Sequence, residues 1–241
     1  MSIISKRRFL ALCWCVGLMG AAGWPAWATP ARVLLIGDSM MRMPAHSFEQ
    51  RLGRMEGVET HAVTSLGSGL ARLDVFDWME RVDELTAGFN PEWTLVWFGT
   101  NDRQPMRTRD GIIQPRAQAE WSAEYARRVA RVMDKLTARS EQRVIWLELP
   151  PMRDSRLNDD IALINKLVAD EAGQRSQVDF YPAAELFSRR PGTFSMHVAG
   201  PDGMPLRVRE ADGVHLNRAG ADLLADRLIA DLFAEPGATD R

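Results

Sequence analysis

The sequence predicts an α/β domain built on a single doubly wound, flavodoxin-like sheet of about five parallel strands, with helices on both faces. Three observations predict it. Short apolar runs alternate along the chain with longer amphipathic ones. The spacing of that alternation is the one of parallel strands joined by helices that cover the sheet on both faces. Finally, 241 residues suffice for one sizeable α/β domain and fall short of two ordinary ones.

The chain opens with a segment that does not belong to this pattern. Lys6, Arg7 and Arg8 form a basic patch, an apolar run extends from Phe9 to Gly23, and Ala26-Trp27-Ala28 offers small residues for cleavage. Residues 1–28 therefore read as a secretory signal peptide and residues 29–241 as the folded domain. The apolar run is short for a bilayer span, so no stable membrane insertion is expected after cleavage. Ser5-Lys6-Arg7-Arg8-Phe9-Leu10 approximates a twin-arginine signal, but a general export signal needs the same basic residues, and both routes stay open. The protein is thus expected to be exported, either periplasmic or secreted. Cys13 and Cys15 would leave with the leader, so neither disulfide nor thiol chemistry is expected. Loss of Lys6, Arg7 and Arg8 would also shift the formal charge from −2 to −5, a poor balance for binding nucleic acid.

The predicted strands are Val33–Ile36, His61–Thr64, Thr94–Phe98, Val144–Leu149 and Val178–Tyr181. Helices are predicted near Ser47–Met55, Phe76–Leu85, Glu120–Arg139, Asp159–Ala172 and Arg218–Phe233. In the third of these, Trp121, Tyr125, Val129, Val132, Met133 and Leu136 recur at three- and four-residue steps, the spacing of an amphipathic helix. Asn158 and Asn217 stand where N-caps are wanted. Two long segments, Arg103–Gln118 and Arg189–Glu210, fit neither period and read as functional or mobile loops.

Four short blocks carry chemistry. Gly37-Asp38-Ser39 follows the first strand, where a serine at a strand-to-helix turn exposes its hydroxyl and points its own amide at the same spot. Ser65-Leu66-Gly67-Ser68-Gly69 follows the second strand and Gly99-Thr100-Asn101-Asp102 the third. A glycine amide and an asparagine side chain are donors suited to an oxyanion hole. Asp212-Gly213-Val214-His215 precedes the last helix, and three residues of separation let a carboxylate fix the imidazole of His215. Each block alone is good turn or capping chemistry. Together they supply a nucleophile, a base, an orienting acid and three oxyanion donors.

These four blocks, in this order from Val33 to the last helix, resemble those of the SGNH, or GDSL, esterase and acylhydrolase superfamily. The resemblance implies that Ser39, His215 and Asp212 are nucleophile, general base and orienting acid. It implies an oxyanion hole made by the Ser39 amide, the amide of Gly69 (a better match than Gly67) and the Asn101 side chain. Asp77-Trp78, Asn101-Asp102-Arg103-Gln104, Leu149-Pro150-Pro151-Met152 and Asp212-Gly213-Val214-His215-Leu216 are similar to an exported bacterial branch whose substrate the resemblance does not supply. Two departures exist: Met40 replaces the usual Leu after the serine, and the second block lacks the Asn that many members carry before the glycine. No Gly-x-Ser-x-Gly is present, which disfavours the nucleophile-elbow hydrolases.

The expected activity is hydrolysis of an O-acyl ester, O-acetyl by preference, on a small molecule or a cell-envelope or extracellular carbohydrate. An O-acetyltransferase using the same triad is an alternative, and so is a non-catalytic carbohydrate-binding protein that keeps the fold. No cofactor is expected. His46, His61 and His197 show no metal-ligand spacing, so no metal is expected either. Trp93, Trp97 and Trp146 read as core, whereas Trp78 and Trp121 lie near the active edge and are candidates to line a sugar-binding surface. Arg103, Arg107, Arg207 and Arg209 either place positive charge around the site or are solvated loop residues.

Overall fold

The computed structural model describes residues 31–233, so the expected signal peptide lies outside the described residues. In chain order the elements are strand β1 (Arg32–Gly37), helix α1 (Ser39–Leu52), β2 (Glu59–Thr64), α2 (Trp78–Phe89), β3 (Trp93–Trp97), β4 (Met106–Thr108), β5 (Gly111–Ile113), α3 (Gln118–Leu136), β6 (Arg143–Leu147), α4 (Ser155–Ala172), β7 (Val178–Tyr181), a 3-10 turn (Ala183–Phe187), β8 (His197–Ala199), β9 (Pro205–Arg207) and α5 (Arg218–Phe233).

Five strands form one wholly parallel sheet in the order β2-β1-β3-β6-β7, the flavodoxin-like arrangement. The interior strands are the most apolar: Val33 to Ile36 and Leu95 to Phe98 are buried. On one side α1 packs against α5; elsewhere α3 packs between α2 and α4. The order reverses between β1 and β3, and there the strand ends leave a crevice. Both Ser39 and Asn101 follow directly from those two strands.

Two helices and both long segments differ from the sequence expectation. Helix α1 begins at Ser39, eight residues before the expected start, and runs through Pro44. A proline inside a helix removes one backbone bond and is normally disruptive. Here Asp38 caps the new start by accepting from the Met40 amide at 2.7 Å, and Met40, Met41, Phe48 and Leu52 bury against the sheet. Helix α4 likewise begins at Ser155, capped by Asp154, so Asn158 lies within the helix and its side chain accepts from the Met152 amide instead. Asn217 does cap α5, accepting from the Gly220 amide at 2.9 Å. The two long segments each fold into a small antiparallel hairpin, β4–β5 and β8–β9. At three residues each, these strands are too short for periodicity to reveal them.

Candidate active site

Ser39 is the first residue of α1, held at the turn by Asp38. The turn is tight because Gly37 runs against β3: a Cβ there would lie 2.4 Å from the Trp97 carbonyl oxygen and from the Met41 Cβ. No other residue fits that approach. The Asp38 carboxylate is fully buried and ties two of the sequence blocks together. One oxygen accepts from the Met40 amide; the other accepts from the Gly99 amide at 3.1 Å, the Thr100 hydroxyl at 3.2 Å and the Asn101 side chain at 3.4 Å. Burial pushes its pKa up to about 7; the Met40 and Gly99 amides and the Thr100 hydroxyl pull downward, and the nearby Asp102 carboxylate adds to the rise.

The structure brings Ser39, His215 and Asp212 into one hydrogen-bonded chain. His215 Nε2 lies 2.8 Å from Ser39 Oγ, and its Nδ1 lies 2.6 Å from Asp212 Oδ2. Asp212 Oδ1 meanwhile accepts from the Val214 and His215 amides, so one carboxylate shapes the loop and aims the ring. Burial raises the Asp212 carboxyl, but the His215 ring and these amides outweigh it and hold it below the usual range. With Asp212 ionised, Nδ1 carries the proton and Nε2 is free to accept from the serine hydroxyl.

The remaining predicted donors are placed less directly. The Asn101 side chain donates to the Ser68 carbonyl at 3.0 Å, linking the third block to the second. Gly69 is buried, and the Asp102 Oδ1 atom sits 2.0 Å from where its Cβ would be. Gly67 is exposed in the preceding turn, with open space beside it. Close approach to Asp102 thus accounts for a glycine at 69. A cleft of about 400 Å³ opens over the serine, lined by Ser39, Met40, Arg42, Met43, Leu66, Glu210, Asp212, His215 and Leu216. Exposed Met43 and Leu66 give it apolar walls.

Sequence reasoning missed the groups that hold these loops. Asp102 is fully buried and accepts from the Ala71 amide at 2.9 Å and the Tyr125 hydroxyl at 2.8 Å. Arg128 on α3 donates to the carbonyls of Leu70, Ala71 and Arg107. A signal existed, because Arg128 interrupts an otherwise apolar stripe of α3. Arg209 was expected to be solvated or to add charge at the site; it is instead fully buried. It donates to the carbonyls of Val214 and Pro151, fastening the Asp212–His215 loop to the segment after β6. Burial lowers its pKa to about 10. Trp78 and Trp121 do not line a sugar-binding surface. Both are fully buried, donating to Ser68 Oγ at 2.9 Å and the Gln104 carbonyl at 2.8 Å. Among the described residues, no group of three or more His, Cys, Asp or Glu side chains could hold a metal ion.

Comparison with solved structures gives the same fold. A candidate platelet activating factor from Streptococcus pneumonia superposes with a TM-score of 0.56 at 19% identity, covering 81% of each chain. Est24, a carbohydrate acetylesterase from Sinorhizobium meliloti, gives 0.54 at 14% identity over 83% of this chain and 98% of that one. A candidate SGNH hydrolase from Slackia heliotrinireducens gives 0.52 at 18%, over 82% and 96%. No curated protein matches the chain. The model of the family described as protein of unknown function DUF459 matches residues 32–231. The chain belongs to the DUF459 family and has the SGNH-hydrolase fold.

Proposed function

We propose that this protein is a serine esterase that cleaves O-acyl esters, with O-acetyl groups on an envelope or extracellular carbohydrate as its substrate. The observation that carries the reading is the relay from Ser39 Oγ through His215 to Asp212, at 2.8 and 2.6 Å. In the acylation step His215 Nε2 takes the Ser39 proton as Oγ attacks the acyl carbonyl. Asp212 stabilises the imidazolium. The Ser39 and Gly69 amides and the Asn101 side chain receive the oxyanion. The imidazolium then returns its proton to the departing sugar oxygen, leaving an acyl-serine and a free hydroxyl. Water, activated by the same ring, releases the acid and restores the serine.

The substrate assignment draws on the likeness to a carbohydrate acetylesterase and on the expected export of the chain. No helix among the described residues is long and apolar enough to cross a membrane. Two measurements test the proposal. Fluorophosphonate should label the wild type and not Ser39→Ala, and acetate should be released from an acetylated oligosaccharide. Transfer of the acetyl group to a second sugar, without free acetate, would make the protein an acetyltransferase instead. Failure of the wild type to react with the probe would leave the carbohydrate-binding alternative.

A further inference from the structure

We propose that a second groove, which shares the loop after β2 with the cleft, holds the acidic groups of the substrate, so that the esterified carbohydrate is an acidic polysaccharide bearing carboxylates. This deepens the esterase reading and rests on it. The groove, of about 820 Å³, runs between α3, the β4–β5 hairpin and the loop after β2. Five arginines line it: Arg107 and Arg109 on the hairpin side, and Arg127, Arg128 and Arg131 on α3.

Most of its acidic residues are already engaged. Glu124 receives Arg127 at 2.7 Å and Arg128 at 2.8 Å. Asp74 is paired with Arg72 at 2.8 Å, and Asp77 caps α2 through the Met79 amide. Among the described residues, the guanidinium groups of Arg107, Arg109 and Arg131 have neither a hydrogen bond nor an ion pair, although Arg107 is close enough to help hold Asp74 below the usual carboxylate range; the lining as a whole sets five arginines against four carboxylates, Asp74, Asp77, Asp110 and Glu124. The groove therefore carries a local surplus of positive charge on a chain whose formal charge is −2.

The walls are also built rather than accidental. Arg128 is 6% exposed, and its guanidinium joins all three: α3 itself, the Leu70–Ala71 carbonyls and the Arg107 carbonyl. Burying a charge is costly unless it is paired and fully bonded, as it is here. The hairpin that presents Arg107 and Arg109 is thereby fixed to the helix that presents Arg131.

The loop at the groove's edge is the one that serves the cleft. Ala71 lines the groove, two residues after Gly69, while Ser68 accepts from Asn101. A glycan with its ester at Ser39 can thus continue past the oxyanion donors onto the arginines. The three unpaired guanidinium groups stand on both walls, Arg107 and Arg109 on the hairpin side and Arg131 on α3. Guanidinium forks bind carboxylates in two parallel hydrogen bonds. An unbranched chain with a carboxylate on successive sugars meets those forks; a neutral glycan would leave them unused.

The test is binding of polygalacturonate, with dextran as the neutral probe, by titration at low and moderate salt. Wild type should bind polygalacturonate, more weakly as salt rises, and not dextran. Arg107→Gln, Arg109→Gln and Arg131→Gln combined should weaken binding at least tenfold with the thermal midpoint retained. A matched triple elsewhere, Arg54→Gln, Arg156→Gln and Arg190→Gln, should bind as wild type. Equal loss in both triples, no loss in the groove triple, equal binding to dextran, or equally tight binding to duplex DNA or phosphatidylglycerol vesicles would each overturn the inference. Ser39→Ala should still bind polygalacturonate. Retained binding with no ester cleavage by the wild type would therefore sink the esterase reading alone, and cleavage without binding would sink this inference alone.

Discussion

Asn101→Ala separates the chemical role proposed for this side chain from the structural one the structure shows, because both fall on the same amide. Its Nδ2 donates to the Ser68 carbonyl at 3.0 Å and lies 3.4 Å from Asp38 Oδ2. The first is a good bond; the second is too long to contribute much. An amide NH₂ has two hydrogens, so with one on the Ser68 carbonyl the other, only loosely held by Asp38, is left for an oxyanion. Truncation strips the Asn101 bond from the carbonyl of Ser68, a buried residue, which costs about 1–3 kcal/mol. At roughly 2–4 °C per kcal/mol for a domain of this size, the midpoint should fall by several degrees. Catalysis should suffer more. Deleting one oxyanion donor lowers kcat by roughly a hundred- to a thousandfold, or about 2.7–4 kcal/mol. KM should hardly move, because the interaction strengthens only as charge develops. The assay is kcat and KM on an aryl acetate, well below the midpoint, with the midpoint measured on the same preparation. A lowered midpoint with kcat unchanged would remove Asn101 from the chemistry and refute the reasoning.

Asp212→Asn should keep the loop but favour the wrong tautomer of His215, lowering kcat by about four orders of magnitude by analogy with the same change in other triads; kcat within tenfold of wild type would show that Asp212 does not orient the ring. Arg209→Met should uncouple the Asp212–His215 loop from Pro151, lowering the midpoint and kcat together, with partial rescue by Arg209→Lys; a midpoint change with kcat intact would show that the buried arginine is structural only. Asp38, raised from 3.8 to about 7, binds its proton more tightly folded than unfolded between those values, so its ionisation costs stability as pH rises. The stability of wild type relative to Asp38→Asn should therefore decline from about pH 4 to pH 7, and a rising difference in thermal midpoints would contradict the assignment.

The sheet was legible because parallel strands covered on both faces must be apolar throughout, and Val33 to Ile36 and Leu95 to Phe98 meet that demand. That the site blocks would meet was legible because each lies at the turn after a strand or before a helix, and the structure brings Ser39, His215 and Asp212 into hydrogen-bond contact. What escaped was the framework behind them. Pro44 hid the first half of α1, since its cost is visible in sequence while the burial of Met40 and Met41 that offsets it is not. Trp78 and Trp121 could be placed at the active edge but not in depth: each indole finds a buried acceptor only once the loops have closed over it. Arg209 is the extreme case. Nothing local distinguishes it from a solvated loop arginine, because its two carbonyl partners come from Val214 and from Pro151, 58 residues earlier.

The meeting of Ser39 with a histidine 176 residues away has a local cause in helix packing. Helix α1 starts at Ser39, and α5 starts three residues after His215. The two helices lie against each other, and their contact is polar as well as apolar. Ser47, buried in α1, donates to Asp222 of α5 at 2.7 Å, and Arg51 pairs with the same carboxylate at 3.0 Å and with Asp226. Asp222 is consequently held below the usual carboxylate range: burial raises it, but Ser47, Arg218 and Arg51 outweigh that. These bonds fix the rotation and the axial position of α5 on α1, which apolar contacts alone leave softer. Because the site loop enters α5 directly, fixing the helix fixes where His215 can reach. Asp212 and Arg209 then settle the last few ångströms, one by aiming the ring and the other by anchoring the loop. The Ser39–His215–Asp212 geometry is thus set by three separate attachments: the α1–α5 contact, the Asp212 carboxylate and the Arg209 anchor.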